Sequence, residues 1–342
     1  MAVIALLLVA AVIWFLVELF QPFAGSGHGR MLVVIPRGSS TSQIAGILAD
    51  RGVVSSAFFF KLRTTIDGDR GKLLSGRYEM KLGMSYSAAL TVLTTPPPAA
   101  PTTEVTIIPG ESRYQIDRLL RKQGVPGSYL AATRRSRLLD PAAYGAPRST
   151  PSLEGFLYPD TYQLRTPIRL SALVADQLTT FKREFATVDL RYARSKNLTP
   201  YDVLKIASLA TAEAAAPPDL PKVTSVIYNR LREGMELGFD TTVAYIFHDY
   251  SGKLTQSELS SSSPWNTTNH RGLPPTPIDS PSLAAIKAAA KPAHTNYLYF
   301  IVKVCGNGRL FFTNSYSRFL EASRQYNAAV ARRGIQRAEF CK

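Results

Sequence analysis

Residues 199–216 of this chain read TPYDVLKIASLATAEAAA, and they predict the helix around which the C-terminal half is organised. Thr199 is a favoured N-cap residue, and Pro200 suits the first helical position, where its missing N–H costs no hydrogen bond. Pro217 and Pro218 cannot continue the helical pattern. The sequence therefore predicts a helix that starts at Pro200 and ends near residue 216.

One face of this predicted helix is apolar and carries a single acidic residue at its edge. Glu213 lies seven residues after Ile206 and four after Leu209, beside the stripe formed by Val203, Ile206, Ala207, Ala210 and Ala214. Burial disfavours the charged form of a carboxyl group, so its pKa rises and a proton stays available near neutral pH. Glu213 is therefore a candidate general acid; the alternative is a carboxylate that points to solvent or pairs with an arginine.

Helices and loops alternate along the rest of the C-terminal half. Apolar spacing predicts a helix over 172–187 and four helices after the first segment, over 223–232, 241–249, 282–290 and 315–332. An apolar strand is predicted over 297–302, with a partner near 310–312. We therefore expect a mainly helical domain with a small sheet.

The N-terminal half contains a repeat. VVIPRGSSTSQIAGILADRGV at 33–53 and VTIIPGESRYQIDRLLRKQGV at 105–125 match at a constant offset of 72, with Ser40 aligned to Ser112. Each copy is typical of a strand, a glycine turn, a capped helix and a glycine stop. Two copies are too few for a solenoid, so they predict two small α/β modules on either side of a Pro-rich spacer at 94–101.

An apolar run begins the chain. Residues 2–17 are all apolar, and Leu19 and Phe20 extend the run past one charge, Glu18, which gives about the length that a membrane-spanning helix needs. A cleaved signal peptide is the alternative, but it would need a basic leader and a small-residue cleavage site. Flanking charges do not determine which side of the membrane the rest of the chain occupies.

The composition excludes a disordered chain and indicates a polar or anionic partner. Lys and Arg number 40 against 25 Asp and Glu, which gives a net charge of +15, and 45% of the residues are apolar. The basic residues are scattered apart from Arg134, Arg135 and Arg137, so we expect no nucleic-acid partner. The histidines show no ligand spacing, so we expect no metal or cofactor. Cys305 and Cys341 are either inert thiols or one bridge.

A series of short motifs follows in a fixed order along the chain. Upstream they are IPRGS at 35–39, GRY at 76–78 and EGFLYPDTY at 154–162; downstream they are ASLATAEA at 207–214, VIYNRL at 226–231, DTTV at 240–243, NT at 266–267, GLPP at 272–275 and YLYF at 297–300. Together they resemble the YceG-like family of endolytic murein transglycosylases, from about residue 33 to about residue 320.

The resemblance implies an α+β fold: an N-terminal transmembrane helix, small LysM-like α/β modules, then a mainly helical catalytic domain with a small sheet. The expected boundaries are a transmembrane anchor at 1–22, a linker at 23–30, a LysM-like α/β module at 31–95, a Pro-rich linker at 96–103, a second small α/β module at 104–165 and a YceG-like catalytic domain at 166–342.

The resemblance also implies a reaction. The enzymes of this family cut the β-1,4 bond between N-acetylmuramic acid (MurNAc) and N-acetylglucosamine (GlcNAc) within peptidoglycan strands and leave 1,6-anhydro-MurNAc ends, which would terminate nascent strands. Glu213 matches the catalytic glutamate, and Thr211 stands where many members carry a second acid. A glycosidase that uses water would need a second carboxylate, for which Asp240 and Asp279 are candidates, unless they cap turns.

Residues near Glu213 in the matching motifs are candidate substrate contacts, and each also has a structural interpretation as a brace, a turn or part of the core. They are Asn229, Arg230, Thr242, Tyr245, Asn266, Thr267, Gly272 and Tyr299.

The expected partners are peptidoglycan glycan strands, the lipids of the cytoplasmic membrane, and peptidoglycan synthases or the division and elongation machinery. We expect a single-pass protein of the cytoplasmic membrane with its catalytic part on the extracytoplasmic, periplasmic side. The alternative function is that of a catalytically silent, membrane-anchored protein that binds peptidoglycan or acts as a scaffold.

Overall fold

A computed structural model describes residues 2–96 and 101–335, and the strands in those ranges pair into three separate two-stranded antiparallel sheets. The chain divides into two units, residues 1–100 and 101–342, each with its own hydrophobic core. Both units combine helices with small sheets, which confirms the mixed α and β composition expected from the sequence. Cys341 lies outside the described residues, so a bridge to Cys305 stays a prediction.

The N-terminal unit places a long apolar helix before a strand, two helices, a strand and a helix. Its elements are α1 (Ala2–Phe20), β1 (His28–Ile35), α2 (Thr41–Asp50), α3 (Ala57–Ile66), β2 (Gly76–Leu82) and α4 (Tyr86–Thr94). Strands β1 and β2 pair with Val33 opposite Tyr78, and both side chains enter the core. The sequence did not predict α3, because Phe58, Phe59 and Phe60 are consecutive and give no helical period.

Helix α1 is long and apolar enough to cross a membrane, by length and composition. Its one charged residue, Glu18, lies near its C-terminal end, where the Ser55 and Tyr86 hydroxyls donate hydrogen bonds to the carboxylate at 3.2 and 3.3 Å. Phe59 packs edge-on against Trp14, with ring centroids 6.2 Å apart. The single charge in the apolar run therefore ties the end of α1 to the segment before α3 and to the start of α4, and the ring contact joins α1 to α3 itself.

The C-terminal unit is mainly helical. Its elements are β3 (Thr102–Thr106), α5 (Arg113–Lys122), α6 (Tyr129–Ala132), β4 (Thr161–Arg165), α7 (Leu170–Phe185), α8 (Arg191–Ser195), α9 (Pro200–Glu213), α10 (Leu220–Arg232), α11 (Asp240–Phe247), α12 (Gln256–Leu259), α13 (Leu283–Ala290), β5 (Tyr299–Val302), β6 (Leu310–Thr313) and α14 (Tyr316–Arg333). Single-turn 3₁₀ helices lie at Pro141–Tyr144 and Pro217–Asp219. Helix α9 packs against α10, α11 and α13 at the centre of this unit.

The two sequence repeats start their helices in the same way. In α2, Ser40 accepts a hydrogen bond from the backbone N–H of Gln43, whose side chain accepts one from the N–H of Ser40. In α5, Ser112 and Gln115 form the same reciprocal pair. This capping box satisfies backbone N–H groups that the first helical turn leaves unpaired, which explains why serine and glutamine occur at this spacing in both copies.

The second repeat nevertheless has no core of its own. Val105 and Ile116 belong to the same buried cluster as Phe156, Phe181 and Tyr201. The Phe156 ring stacks on Tyr201 with centroids 5.8 Å apart and meets Phe181 edge-on at 5.2 Å. A two-stranded sheet and one helix cannot cover their apolar faces alone, so the module predicted at 104–165 and the domain predicted at 166–342 form one folded body.

Candidate active site

Local signals place Glu213 at the C-terminal end of α9. The Thr199 hydroxyl accepts the backbone N–H of Asp202 at 3.1 Å, and the Asp202 carboxylate accepts the N–H of Thr199 at 3.0 Å, so the helix starts where the sequence predicts. The backbone of Ala214 is extended, so the helix ends at Glu213. This end is three residues earlier than the sequence predicts. Glu213 thus lies among the unpaired carbonyl groups of the last turn, where the helix dipole disfavours a negative charge.

The Glu213 side chain is half-buried, and within residues 2–96 and 101–335 one side chain donates a hydrogen bond to it. The Thr241 hydroxyl, in the first turn of α11, donates to Oε1 at 2.7 Å. Burial raises the pKa of the Glu213 carboxyl group to about 7; the Thr241 hydrogen bond lowers it, the charge of Asp240 raises it and the charge of Arg230 lowers it. Near neutral pH this carboxyl group can therefore both give and take a proton.

Arg230 and Tyr299 form one wall beside Glu213. The Arg230 guanidinium donates to the carbonyl oxygens of Leu298 and Leu237 at 2.7 and 2.6 Å, and it lies over the Tyr299 ring, 5.4 Å from the centroid. The other side of this wall is packed, because Tyr299 stacks on Phe319 at 5.4 Å. Arg230 therefore provides a fixed positive charge near Glu213, and Tyr299 supports it.

Four predicted substrate contacts instead hold the site's framework together. The Asn229 amide donates to the carbonyl oxygens of Thr295 and Tyr297, both at 2.9 Å, and the Asn266 amide donates to two backbone carbonyls at 2.9 and 2.8 Å. The others, Thr242 and Thr267, are fully buried and their hydroxyls lie 3.1 Å apart. Because their polar groups are already paired inside the fold, these four residues brace the site and do not face a sugar.

Tyr245 and Gly272 occupy more open positions. Tyr245 lines a cleft of about 630 Å³ and a smaller cavity of about 150 Å³, and its hydroxyl donates to Glu154 at 3.3 Å. Gly272 has a φ of +90° with open space where a Cβ would lie, so it shapes a turn. Of the predicted contacts, Tyr245 therefore remains the best placed to face a substrate.

Aromatic rings line the larger cleft. Tyr114 stacks on His248 with centroids 3.3 Å apart, and Trp265 is held by a hydrogen bond from its ring nitrogen to the Thr276 hydroxyl at 2.9 Å. Flat rings with apolar faces and polar edges suit the faces of sugar rings. The cleft is large enough for a small segment of a polymer rather than a single water or ion.

Two further buried acids lie near this cleft. Glu154 is 1% exposed and accepts the backbone N–H of Arg113 at 3.2 Å; burial raises its pKa to about 7. Asp279 is 2% exposed, and neither of its oxygens has a hydrogen-bond partner in the part of the chain that the structure describes. Burial, followed by the charge of Glu154, raises the pKa of Asp279 well above its usual range. Because its oxygens accept no hydrogen bond among the described residues, Asp279 does not cap a turn.

Sequence reasoning missed Glu154 and Thr241 as site residues. Glu154 is the one acid within the apolar and aromatic stretch 153–158, which is a signal of a buried carboxyl group. No local signal identifies Thr241, because its contact with Glu213 depends on how α11 packs against α9.

Comparisons with known proteins identify the family of the chain. The profile of the YceG-like family matches residues 33–325. An endolytic murein transglycosylase of Bacillus subtilis is 27% identical over 90% of this chain and 88% of its own, and one of Streptococcus pneumoniae is 26% identical over 88% of this chain and 59% of its own. The crystal structure of a YceG-like protein from Listeria monocytogenes superposes with a TM-score of 0.55 at 27% identity, covering 86% of this chain and 99% of that one. Since the family profile spans well over half of the sequence, the chain belongs to the YceG-like family.

Proposed function

We propose that this chain is an endolytic murein transglycosylase that cuts the β-1,4 bond between MurNAc and GlcNAc inside peptidoglycan strands. The observation behind the proposal is the carboxyl group of Glu213, which has a pKa of about 7 and accepts a hydrogen bond from Thr241. Thr241 borders the cavity of about 150 Å³, and this cavity shares Tyr245 with the larger aromatic cleft. The family relatives with this name support the same substrate.

A single carboxyl group suffices for this reaction. Protonated Glu213 gives its proton to the glycosidic oxygen as the bond from that oxygen to C1 of MurNAc breaks, and GlcNAc leaves with a free hydroxyl. The Glu213 carboxylate then takes the proton of the C6 hydroxyl of MurNAc, and O6 bonds to C1 to form the 1,6-anhydro ring. The proton returns to Glu213, and no water is consumed.

Arg230 and Thr241 adjust this proton transfer. Both favour the carboxylate form, while burial and Asp240 favour the protonated form, and the balance lies near neutral pH. A hydrolase would instead use a second ionised carboxylate to activate water. Burial raises the pKa of Asp279 and so disfavours the ionised form that a base needs, and Asp240 acts on Glu213 through its charge.

Helix α1, with most of its side chains exposed, would anchor the protein in the cytoplasmic membrane, and the C-terminal unit would lie on the extracytoplasmic side, where peptidoglycan is found. We assign residues 31–95 as a LysM-like module that holds glycan.

The test uses the full chain in detergent and purified sacculi, with products identified by mass. We expect anhydro ends from the native chain and about a thousandfold slower release from Glu213→Gln, which removes the acid but keeps the side-chain shape. Glu233→Gln, an exposed acid at the end of α10, serves as the matched control. Reducing ends would indicate a hydrolase, binding without any cleavage would indicate a silent scaffold, and undiminished release by Glu213→Gln would remove Glu213 from the mechanism.

A further inference from the structure

A second groove, of about 280 Å³, is lined by three arginines that the proposed reaction does not use. Arg134 and Arg135 precede a short turn closed by the bridge between Ser136 and Leu139, and Arg148 lies in the loop that follows the 3₁₀ helix Pro141–Tyr144. All three are exposed. Within residues 2–96 and 101–335, none of their guanidinium groups makes a hydrogen bond or an ion pair.

The groove has almost no negative charge of its own. Asp140 is the one acid on its lining among the described residues, and its carboxylate accepts the backbone N–H of Ala142 at 3.0 Å. With three guanidinium groups and one carboxylate on its lining, the groove carries a net positive charge. The guanidinium N–H groups have no hydrogen-bond acceptor among the described residues. Guanidinium groups match carboxylates with paired hydrogen bonds, which a lysine cannot do.

This groove lies next to the aromatic cleft, since the two share a lining residue. Arg134 lines both, and Tyr245 lines the cleft as well as the cavity bordered by Thr241, which donates to Glu213. Arg113 also lines the cleft, but its guanidinium is already bonded to the Thr133 hydroxyl at 2.7 Å. A ligand that extends from the cleft past Arg134 would therefore reach the three unengaged arginines.

We propose that the groove formed by Arg134, Arg135 and Arg148 binds the free carboxylates of the peptide branches on the murein strand whose sugars lie in the cleft. This inference rests on the proposed function and deepens it, because it makes peptide-bearing glycan the preferred substrate. The sugars of such a strand are uncharged, since the lactyl carboxyl group of MurNAc is joined to the peptide as an amide. Its negative charges lie on the peptides, and the groove shares Arg134 with the aromatic cleft that the sugars would occupy.

The experiment measures binding rather than cleavage. The full chain carrying Glu213→Gln is titrated, in detergent, with murein strands that keep their peptides and with strands from which an amidase has removed them. The amidase frees one lactyl carboxylate on each MurNAc, so the bare strands keep a negative charge at the sugar ring and lose the carboxylates of the peptides. Arg135→Glu combined with Arg148→Glu should weaken binding to the peptide-bearing strands about tenfold, because two exposed ion pairs with peptide carboxylates are replaced by repulsion between like charges. Binding to bare strands should stay unchanged. Arg165→Glu combined with Arg194→Glu changes the net charge equally on exposed arginines outside the groove and should have no effect.

Each other outcome overturns the proposal. Equal weakening on both kinds of strand would mean that the groove does not read the peptides, and unchanged binding would mean that it does not contact the strand. If the double variant Arg135→Glu and Arg148→Glu binds vesicles containing phosphatidylglycerol more weakly but binds the strands as before, the groove binds lipid headgroups. The proposed function is tested by a different result, the release of anhydro ends by the native chain. Binding of peptide-bearing strands by the Glu213→Gln chain can therefore succeed or fail independently of that result. Matching circular dichroism spectra confirm that the variants fold.

Discussion

Replacing Thr241 with valine tests whether its hydroxyl sets the proton affinity of Glu213. Valine keeps the shape of the side chain but removes the donor that lies 2.7 Å from Oε1. A hydrogen bond to a charged group contributes about 1.5–3 kcal/mol, and one pKa unit corresponds to about 1.4 kcal/mol. Because Glu213 is only half-buried, we take the lower end of that range. The pKa of Glu213, about 7 in the native chain, should therefore rise by about one unit in Thr241→Val.

The assay follows the initial rate of anhydro-end formation from sacculi between pH 5 and pH 9. The free enzyme must carry the proton on Glu213, so kcat/KM falls as the pH rises through the pKa of that group. Raising the pKa moves this falling limb to higher pH by about one unit in Thr241→Val. Thr241→Ser keeps a hydroxyl and should keep the native limb. A limb that stays in place, or that moves to lower pH, would refute the role given to Thr241.

Two further predictions concern stability, measured by denaturant unfolding of the full chain in detergent. Gly155 has a φ of +84°, and an added Cβ would lie 2.5 Å from Cγ of Pro277, so Gly155→Ala should lower the free energy of unfolding by about 3 kcal/mol. Gly234 has a φ of +65° with open space around it, so Gly234→Ala should lower the free energy of unfolding by about 1 kcal/mol. Equal losses would show that the contact with Pro277 can relax freely. Asp219 is 1% exposed and accepts two hydrogen bonds from Arg309 at 2.9 and 2.7 Å, so Asp219→Ala should cost about 2 kcal/mol and Asp219→Asn less, since it keeps an acceptor. Identical losses in those two variants would mean that hydrogen bonding is not what Asp219 contributes.

Sequence reasoning succeeded where the determinants are local. Helix α9 starts at Pro200 because the Thr199 and Asp202 capping pair lies within one turn, and such pairs can be recognised in a sequence. The same is true of the start of the helix in both repeats. The high pKa of Glu213 also followed from its place beside an apolar stripe, although its position at the last helical residue did not.

Sequence reasoning failed where partners come from far along the chain. Asn229 is a residue type that often binds sugars, but carbonyl groups 66 and 68 residues later already accept its amide hydrogens. Asp279 resembled a turn cap, yet tertiary packing buries it next to Glu154. Which polar group a fold satisfies internally depends on contacts between distant segments, and no local pattern records them.

The shared core of residues 101–342 limits how parts of this protein can be exchanged between relatives. The first copy of the repeat belongs to a core that closes within residues 33–93, whereas the second contributes Val105 and Ile116 to a body completed by helices as far away as α13. A gene segment encoding residues 33–93 could be transplanted intact, but a crossover near residue 166 would separate Phe156 from Tyr201 and leave both halves with exposed apolar faces. Viable recombinants should therefore have their breakpoints near residue 100, where the two units meet along the sequence.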